Sequence, residues 1–475
     1  MSRLSATNCV IGCGLHAPPM WKHQQEAVDF ARGRRATLLH MGLGVGKSRV
    51  AVSCAEEMGA KRVLILCPLS VIPAWEKQFR EYAEQPWEVC LLNKGGVDRK
   101  SRMAKDAIKV SKAFARPLVV VVNYESARGA AFAKIAMNTD WDLLVCDEVH
   151  KLKSPQGKTS KWVANLAMKI KKRLGLSGTP MPHSQMDIFG IFRTLDATIF
   201  GRSFVAFRKR FAVMGGYGGY EITGYKNTEE LRSKMAMITF QADRGVLDLP
   251  HAMHETIEVE LSKSGARIYK ELSENLRADV QAGEVTAANG LVRLLRLQQL
   301  TSGVATIDGD PPVVVRVDEG KRKAFAELLE ALPASEPVVA FGRFTADLEA
   351  VRLAAKDVGR ESLELSGRKR ELEDWQNGKA PILAVQIQAG GSGIDLTRAA
   401  YCVYLSTGFS LGDYEQSLAR VHRPGQDRTV FYYHLIAKDT VDVQVFHALR
   451  ARKDAVEAVL ADLALADSSE PQKIR

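Results

Sequence analysis

No apolar run in this 475-residue chain is long enough to cross a membrane. Runs such as Leu118 to Val122 fall far short of the roughly twenty residues a spanning helix needs. The start, Met1 to Cys13, carries no apolar stretch of the signal-peptide kind, so a secretory route is not expected. Cysteine is scarce and unpatterned. There are seven, an odd number, and Cys9 and Cys13 have neither a second pair nor a histidine pattern beside them. Disulfides and zinc are therefore not expected, and the thiols read as reduced small hydrophobes in a cytoplasmic protein. No segment is of low complexity. Negative charge is in deficit, with 55 acidic against 66 basic residues and a formal charge of +11. That excess favours a polyanionic partner.

What is present is the composition of a globular protein, 46% hydrophobic and 25% charged, long enough for two or three domains. Basic clusters lie at Lys169 to Arg173, Arg208 to Arg210, Lys321 to Lys323, Arg368 to Arg370 and Arg450 to Lys453. Any one of them can be a solvated helix face; together they suggest a basic groove.

The chain is organised around His40-Met41-Gly42-Leu43-Gly44-Val45-Gly46-Lys47-Ser48. Its ending is that of a phosphate-binding loop. Glycines allow successive backbone N–H groups to turn inward on phosphate oxygens. Lys47 can reach the β- and γ-phosphates, and Ser48 can ligate Mg²⁺. A short apolar strand before the loop and a helix after it supply the right context. The strict pattern asks for glycine where Met41 stands, so an ordinary glycine-rich turn is the competing reading of this stretch alone.

From Lys61 a unit of apolar strand, polar turn and helix repeats. Strands are predicted at Arg62 to Cys67, Leu118 to Val122, Leu143 to Cys146 and Leu174 to Leu176. The rhythm returns at Pro337 to Phe341, Leu363 to Leu365, Ile382 to Gln386, Tyr401 to Leu405 and Val430 to Ile436. Such alternation implies parallel sheets covered on both faces, with ligands at the carboxyl ends of the strands. Met1 to Met20 reads as a loose lead-in. Met186 to about Leu332 reads as mostly helical, and a last helix is expected from Asp439 to about Leu465.

Asp147-Glu148 follows the third predicted strand. One carboxylate there can hold Mg²⁺ through its waters, and the next can orient an attacking water; a helix N-cap is the plainer alternative. Arg420 and Arg423, in Gln416 to Gln426, can supply the positive charge that phosphoryl transfer requires, or can be a basic helix end favoured by the dipole.

Taken together and in order, these stretches resemble helicase superfamily 2, and within it the Swi/Snf-type double-stranded DNA translocases. Trp21-Lys22-His23-Gln24 resembles the glutamine motif, which implies that Gln24 reads adenine. Met41 to Ser48 resembles the family's Met-Gly-Leu-Gly-Lys-Thr loop, lengthened within Gly44-Val45-Gly46. Cys67-Pro68-Leu69-Ser70 through Trp75 and Phe79 resembles motif Ia, and Asn123-Tyr124-Glu125 resembles motif Ib. Asp147-Glu148-Val149-His150 is similar to the DExH box, and Leu176 to Pro180 to motif III. Val339-Ala340-Phe341 resembles motif IV. Gln388-Ala389-Gly390-Gly391-Ser392-Gly393-Ile394-Asp395-Leu396 resembles motif V, and Gln416 to Gln426 motif VI.

The resemblance implies an α/β fold of two RecA-like parallel-sheet lobes joined by a mostly helical insertion, with boundaries at 1–200, 201–320 and 321–475. It implies ATP and Mg²⁺ as cofactors. The nucleotide would be held by Gln24, Gly42, Gly44, Gly46, Lys47, Ser48, Gly393 and Asp395, and the metal by Ser48 and Asp147. Lys47, Asp147, Glu148 and two arginine fingers, Arg420 and Arg423, would form the catalytic set. Pro68, Ser70, Asn123, Tyr124, Gln388, Ala389 and Gly390 would contact DNA. The expected activity is ATP-dependent translocation on double-stranded DNA, by a monomer in a bacterial or phage-infected cytoplasm, with a targeting protein as a further partner. A strand-separating DNA or RNA helicase, a non-motor ATP-gated clamp and a subunit of a nuclease complex are the alternatives. Departures from the family pattern include Asp395 for the usual Asn and Phe240 to Arg244 in place of a basic segment.

Overall fold

The computed structural model describes residues 9–12, 17–42, 44–178, 180–181, 184–215, 221–242, 245, 247, 249–281, 295–307, 313–388, 394–408, 410–447 and 449. Among these residues the chain forms two compact units, one ending at Leu247 and the other running from Asp248 to Asp454.

The first unit is built on one sheet. Its strands are β1 (Cys9–Gly12), β2 (Ala36–Met41), β3 (Arg62–Cys67), β4 (Trp87–Leu91), β5 (Leu118–Asn123), β6 (Leu143–Asp147) and β7 (Lys172–Ser177). A hairpin of β8 (Ala212–Gly215) and β9 (Glu221–Tyr225) follows, and then β10 (Thr239–Ala242). The sheet order is β1-β4-β5-β3-β6-β7-β2-β10, parallel except where β1 runs antiparallel to β4. Alternate side chains of a strand point to opposite faces, and here both faces are covered. Leu64, Leu66, Val120, Val122, Leu144 and Cys146 enter one core. Val63, Ile65, Val119, Val121, Leu143 and Val145 enter the other. Double coverage is why these strands read as unbroken apolar runs. Burial pushes the Cys146 thiol up to about 12, consistent with its role as a small apolar side chain.

The second unit has its own parallel sheet, ordered β11-β18-β17-β14-β16-β15. These strands are β11 (Ala252–Val259), β14 (Val338–Gly342), β15 (Ser362–Leu365), β16 (Ile382–Gln386), β17 (Tyr401–Tyr404) and β18 (Val430–Ala437), and the pair β12 (Val304–Ile307) and β13 (Val313–Arg316) stands apart. Val338, Ala340, Ile382, Ala384 and Val403 face one core, and Val339, Phe341, Leu383, Val385 and Cys402 the other. The α/β class with two parallel-sheet lobes is therefore present as expected.

The stretch 201–320 differs from the helical insertion expected for it. Its residues are shared between the units and include β8 to β13. β10 lies parallel to β2, with Gly42 N–H donating to Ala242 O at 2.8 Å, and β11 lies parallel to β18. Both strands pair with remote sequence, so local pattern carries little sign of them. The same holds for β1, which occupies part of the expected lead-in and pairs with β4. Helix is present at 441–447; the expected continuation to Leu465 lies outside the described residues. Among the described residues no helix is long and apolar enough to cross a membrane.

Candidate active site

The carboxyl end of β2 delivers the phosphate loop. Gly44 and Gly46 hold φ of +88° and +89°, the left-handed region that glycine reaches without strain. A Cβ on Gly46 would also stand 2.2 Å from Gln24 Nε2. These two left-handed glycines are the Gly-x-Gly before Lys47. Counted back from Lys47, Gly44-Val45-Gly46-Lys47-Ser48 matches Gly-Leu-Gly-Lys-Thr without an insertion, so the extra length expected within Gly44-Val45-Gly46 is not there. Gly42 is half-buried outside the left-handed pair. Lys47 opens the helix Lys47–Glu57, with half-buried Ser48 in its first turn. Lys47 Nζ donates to the carbonyls of Met41 (3.0 Å) and Gly42 (3.1 Å), back along its own loop.

Two side chains of the helix Lys22–Ala31 grip the crown of this loop. His23 Nε2 and Gln24 Nε2 both donate to Val45 O, at 2.9 and 3.2 Å. Gln24 Oε1 accepts from Trp21 N at 3.0 Å, satisfying a backbone donor at the helix start. Gln24 is thus buried and holds the loop. His23 lies in the stretch that resembles the glutamine motif but carried no expected role of its own; its position beside Gln24 is the signal that could have found it.

Asp147 ends β6 and is buried. Its Oδ1 accepts from Glu148 N at 3.0 Å and its Oδ2 from Trp75 Nε1 at 3.2 Å. Burial, and then the neighbouring Glu148 carboxylate, push the Asp147 pKa up to about 7; the Lys47 ammonium and the two donors pull it the other way. Glu148 is buried and left-handed, with φ +49°. A non-glycine residue in that region marks a locally constrained backbone. His150 Nδ1 lies 3.3 Å from Glu148 Oε2 and 3.4 Å from Ser177 Oγ, which joins the acidic pair to the end of β7. Trp75 and Ser177 belong to stretches singled out by sequence, but their contacts were not foreseen, because each spans tens of residues.

A carboxylate raised this far, beside a cradle of left-handed glycines, is short of positive charge. An oxygen-ligated divalent cation carried by a polyphosphate fits it, and the chemistry supplied when bound is neutralisation of phosphate charge.

Of the residues expected to meet DNA, Ser70 is exposed and Pro68 half-buried after β3, and Gln388 is exposed after β16. Asn123 and Tyr124 are buried. Asn123 Nδ2 donates to Glu125 Oε2 at 2.9 Å, and the Tyr124 hydroxyl donates to Asp147 O at 2.8 Å. That strand end braces the acidic pair instead of facing solvent. Ala389, Gly390 and Gly393 lie outside the described residues.

In the second unit, Arg420 is buried in the last turn of the helix Leu411–Val421, and its carbonyl accepts from Leu396 N at 3.0 Å. Half-buried Arg423 donates through Nη1 to Ile394 O at 3.2 Å. His422 Nε2 donates to Pro250 O at 2.7 Å. Buried Gln426 reaches the carbonyls of Ala399 (2.8 Å), Thr397 (3.1 Å) and Val421 (3.4 Å). Asp395 is exposed, and its Oδ1 accepts from the Thr397 N–H and hydroxyl at 2.9 and 2.7 Å. An Asx-type turn needs only that acceptor, so Asp serves there as Asn would. Gln426 and Asp395 together set the path of the chain on which Arg423 rests.

Residues 19–302 match the family model described as the SNF2-related domain, and residues 320–425 that described as the helicase conserved C-terminal domain. The chain is 25% identical over 448 residues to the putative protein p41 of Acyrthosiphon pisum secondary endosymbiont phage 1, covering 89% of this chain and 93% of that one. It is 23% identical to the uncharacterized ATP-dependent helicase YqhH of Bacillus subtilis, covering 92% and 78%. It is 21% identical to the DNA repair and recombination protein RDH54 of Saccharomyces cerevisiae, covering 85% of this chain and 46% of the relative, so it spans about half the length of that protein. A solved structure of the Sulfolobus solfataricus SWI2/SNF2 ATPase core in complex with dsDNA aligns over 96% of each chain, with 22% identity and a TM-score of 0.43. Because the first family match takes in more than half of its length, the chain belongs to the SNF2-related family of superfamily 2 and is a helicase-like ATPase.

Proposed function

We propose that the protein hydrolyses ATP with Mg²⁺ and uses the cycle to move along double-stranded DNA, displacing or remodelling what is bound there. The observation that carries this reading is the meeting of Lys47, Asp147 and Glu148 at the carboxyl ends of β2 and β6, the two strands that flank β7 in one parallel sheet. ATP would draw Lys47 off the Met41 and Gly42 carbonyls and onto its phosphates. Ser48 and Asp147 would hold the metal, with Gly42, Gly44 and Gly46 as the phosphate cradle. Glu148 would orient the attacking water, and His150 would carry its state to Ser177. Gln24 would exchange Val45 O for the adenine edge. From the second unit, Arg420 and Arg423 would supply charge to the transition state, with Asp395 and Gly393 nearby.

DNA would be held mainly through its phosphates, by Pro68, Ser70 and Gln388 with Ala389 and Gly390, so binding should be strongly salt-dependent and weakly sequence-specific. Asn123 and Tyr124 would act there indirectly, through the strand end they brace. The protein would work as a monomer in the cytoplasm. The test is the rate of ATP hydrolysis with duplex DNA, single-stranded DNA and RNA, alongside triplex displacement. Several-fold stimulation by duplex with triplex displacement is expected. Strand separation without triplex displacement would make it an unwinding helicase, and turnover indifferent to DNA would overturn the motor.

A further inference from the structure

The helix Lys158–Ala167 and the helix Ile188–Leu195 wall a cavity of about 300 Å³ that the ATPase site does not use. Three cations line it, Lys161, Arg193 and Arg202, together with Asn165, and no carboxylate is among the lining residues. Its apolar lining is Ala164, Met168 and Ala197, with Met168 exposed.

Arg193 is fixed in place by bonds from Nη1 to Pro155 O (2.9 Å) and Nη2 to Ser160 Oγ (2.9 Å). Its Nε is buried with no hydrogen-bond partner among the described residues. Burial alone pulls its pKa below the ordinary value; no acid offsets it. A held guanidinium without a carboxylate is costly to keep and suits an anion.

The cavity sits at the far end of the sheet from the phosphate loop. Met168 closes the helix that leads into the amino end of β7, and β7 runs parallel to β2, whose carboxyl end carries the loop. One strand length, roughly 20 Å, separates the two. The sequence cluster Lys169 to Arg173 lies at the same end.

We propose that this cavity is a second ligand site, taking a nucleotide-sized phosphate ester with its phosphates on Lys161, Arg193 and Arg202 and its less polar part on Met168 and the alanines. A half-open, partly apolar concavity of this size can take a small molecule, whereas a duplex presents its phosphates on a convex surface. The inference is independent of the proposed motor activity.

The test uses the full chain with Lys47→Ala, which weakens nucleotide binding at the phosphate loop, and titrates ADP and pyrophosphate by calorimetry. Residual binding of both probes is expected, weakened at least tenfold by adding Lys161→Glu and Arg202→Glu. The Lys161→Glu/Arg202→Glu chain with native Lys47 should keep its basal ATPase rate and its melting temperature, which separates a lost ligand from a lost fold. Absence of residual binding, or binding untouched by the charge reversals, overturns the site. Loss of duplex DNA affinity in the reversal variant without any ADP binding would assign the cavity to a polyanion and also overturn it.

Discussion

At the scale of single residues the site is governed by charge out of water. Asp147 shows this most clearly. Its carboxyl group sits at about 7 instead of the ordinary 3.8, so the folded chain binds that proton more tightly than the unfolded chain does. Its contribution to stability is therefore fully present below the ordinary value and is lost as pH rises toward 7. Binding of a cation needs the ionised form, so the sign for the ligand is opposite. Affinity for Mg²⁺ with ATP should rise between about pH 6 and pH 8, and Asp147→Asn should flatten that rise; a pH-independent affinity in the parent chain would contradict the buried acid. Lys47→Ala should abolish hydrolysis, measured as phosphate release. Gly46→Ala meets both an unfavourable φ and the Gln24 amide, and should cost about 1 kcal/mol or more. That loss should appear both in thermal melting and in nucleotide affinity.

At the scale of elements, loops are held by side chains that reach back to carbonyls. Val45 O is gripped from the first helix and Ile394 O by Arg423, while Gln426 gathers three carbonyls. Such bonds are inexpensive to keep and costly to break, because a buried carbonyl left alone carries its full desolvation penalty. Gln426→Ala should destabilise the second unit by about 1–3 kcal/mol, seen as a lower melting midpoint. Gln426→Glu should restore the size but not the two donors. If the alanine variant melts like the parent, the pinning role is wrong.

At the scale of the whole molecule, the residues proposed for catalysis are divided between two units, each built on its own parallel sheet. Lys47, Asp147 and Glu148 come from one, Arg420 and Arg423 from the other. Arg423→Ala should reduce DNA-stimulated turnover on the order of 10³-fold, by the usual worth of an arginine finger, while leaving ATP affinity largely in place. Turnover equal to the parent's would remove Arg423 from the reaction. The net charge of +11 should make duplex affinity fall steeply and linearly in log–log form with added salt.

Much of this was legible before any coordinates. The strands at Arg62–Cys67, Leu143–Asp147 and Ile382–Gln386 stand where unbroken apolar runs put them, because a strand buried on both faces leaves that run in the sequence. The chemistry proposed for Gly44 to Ser48, Asp147-Glu148, Arg420 and Arg423 would constrain a few adjacent residue types, which is why these stretches stand out in the sequence. Hidden were the pairings between distant segments: β10 beside β2, β1 beside β4, Trp75 on Asp147, and His23 with Gln24 on the loop crown. The buried positions of Asn123 and Tyr124 were also decided only by the fold. Local pattern records which face a residue buries, and sequence alone determined the lobes and their chemical groups. Which remote atom accepts each buried donor is settled by packing, and that only the tertiary structure decided.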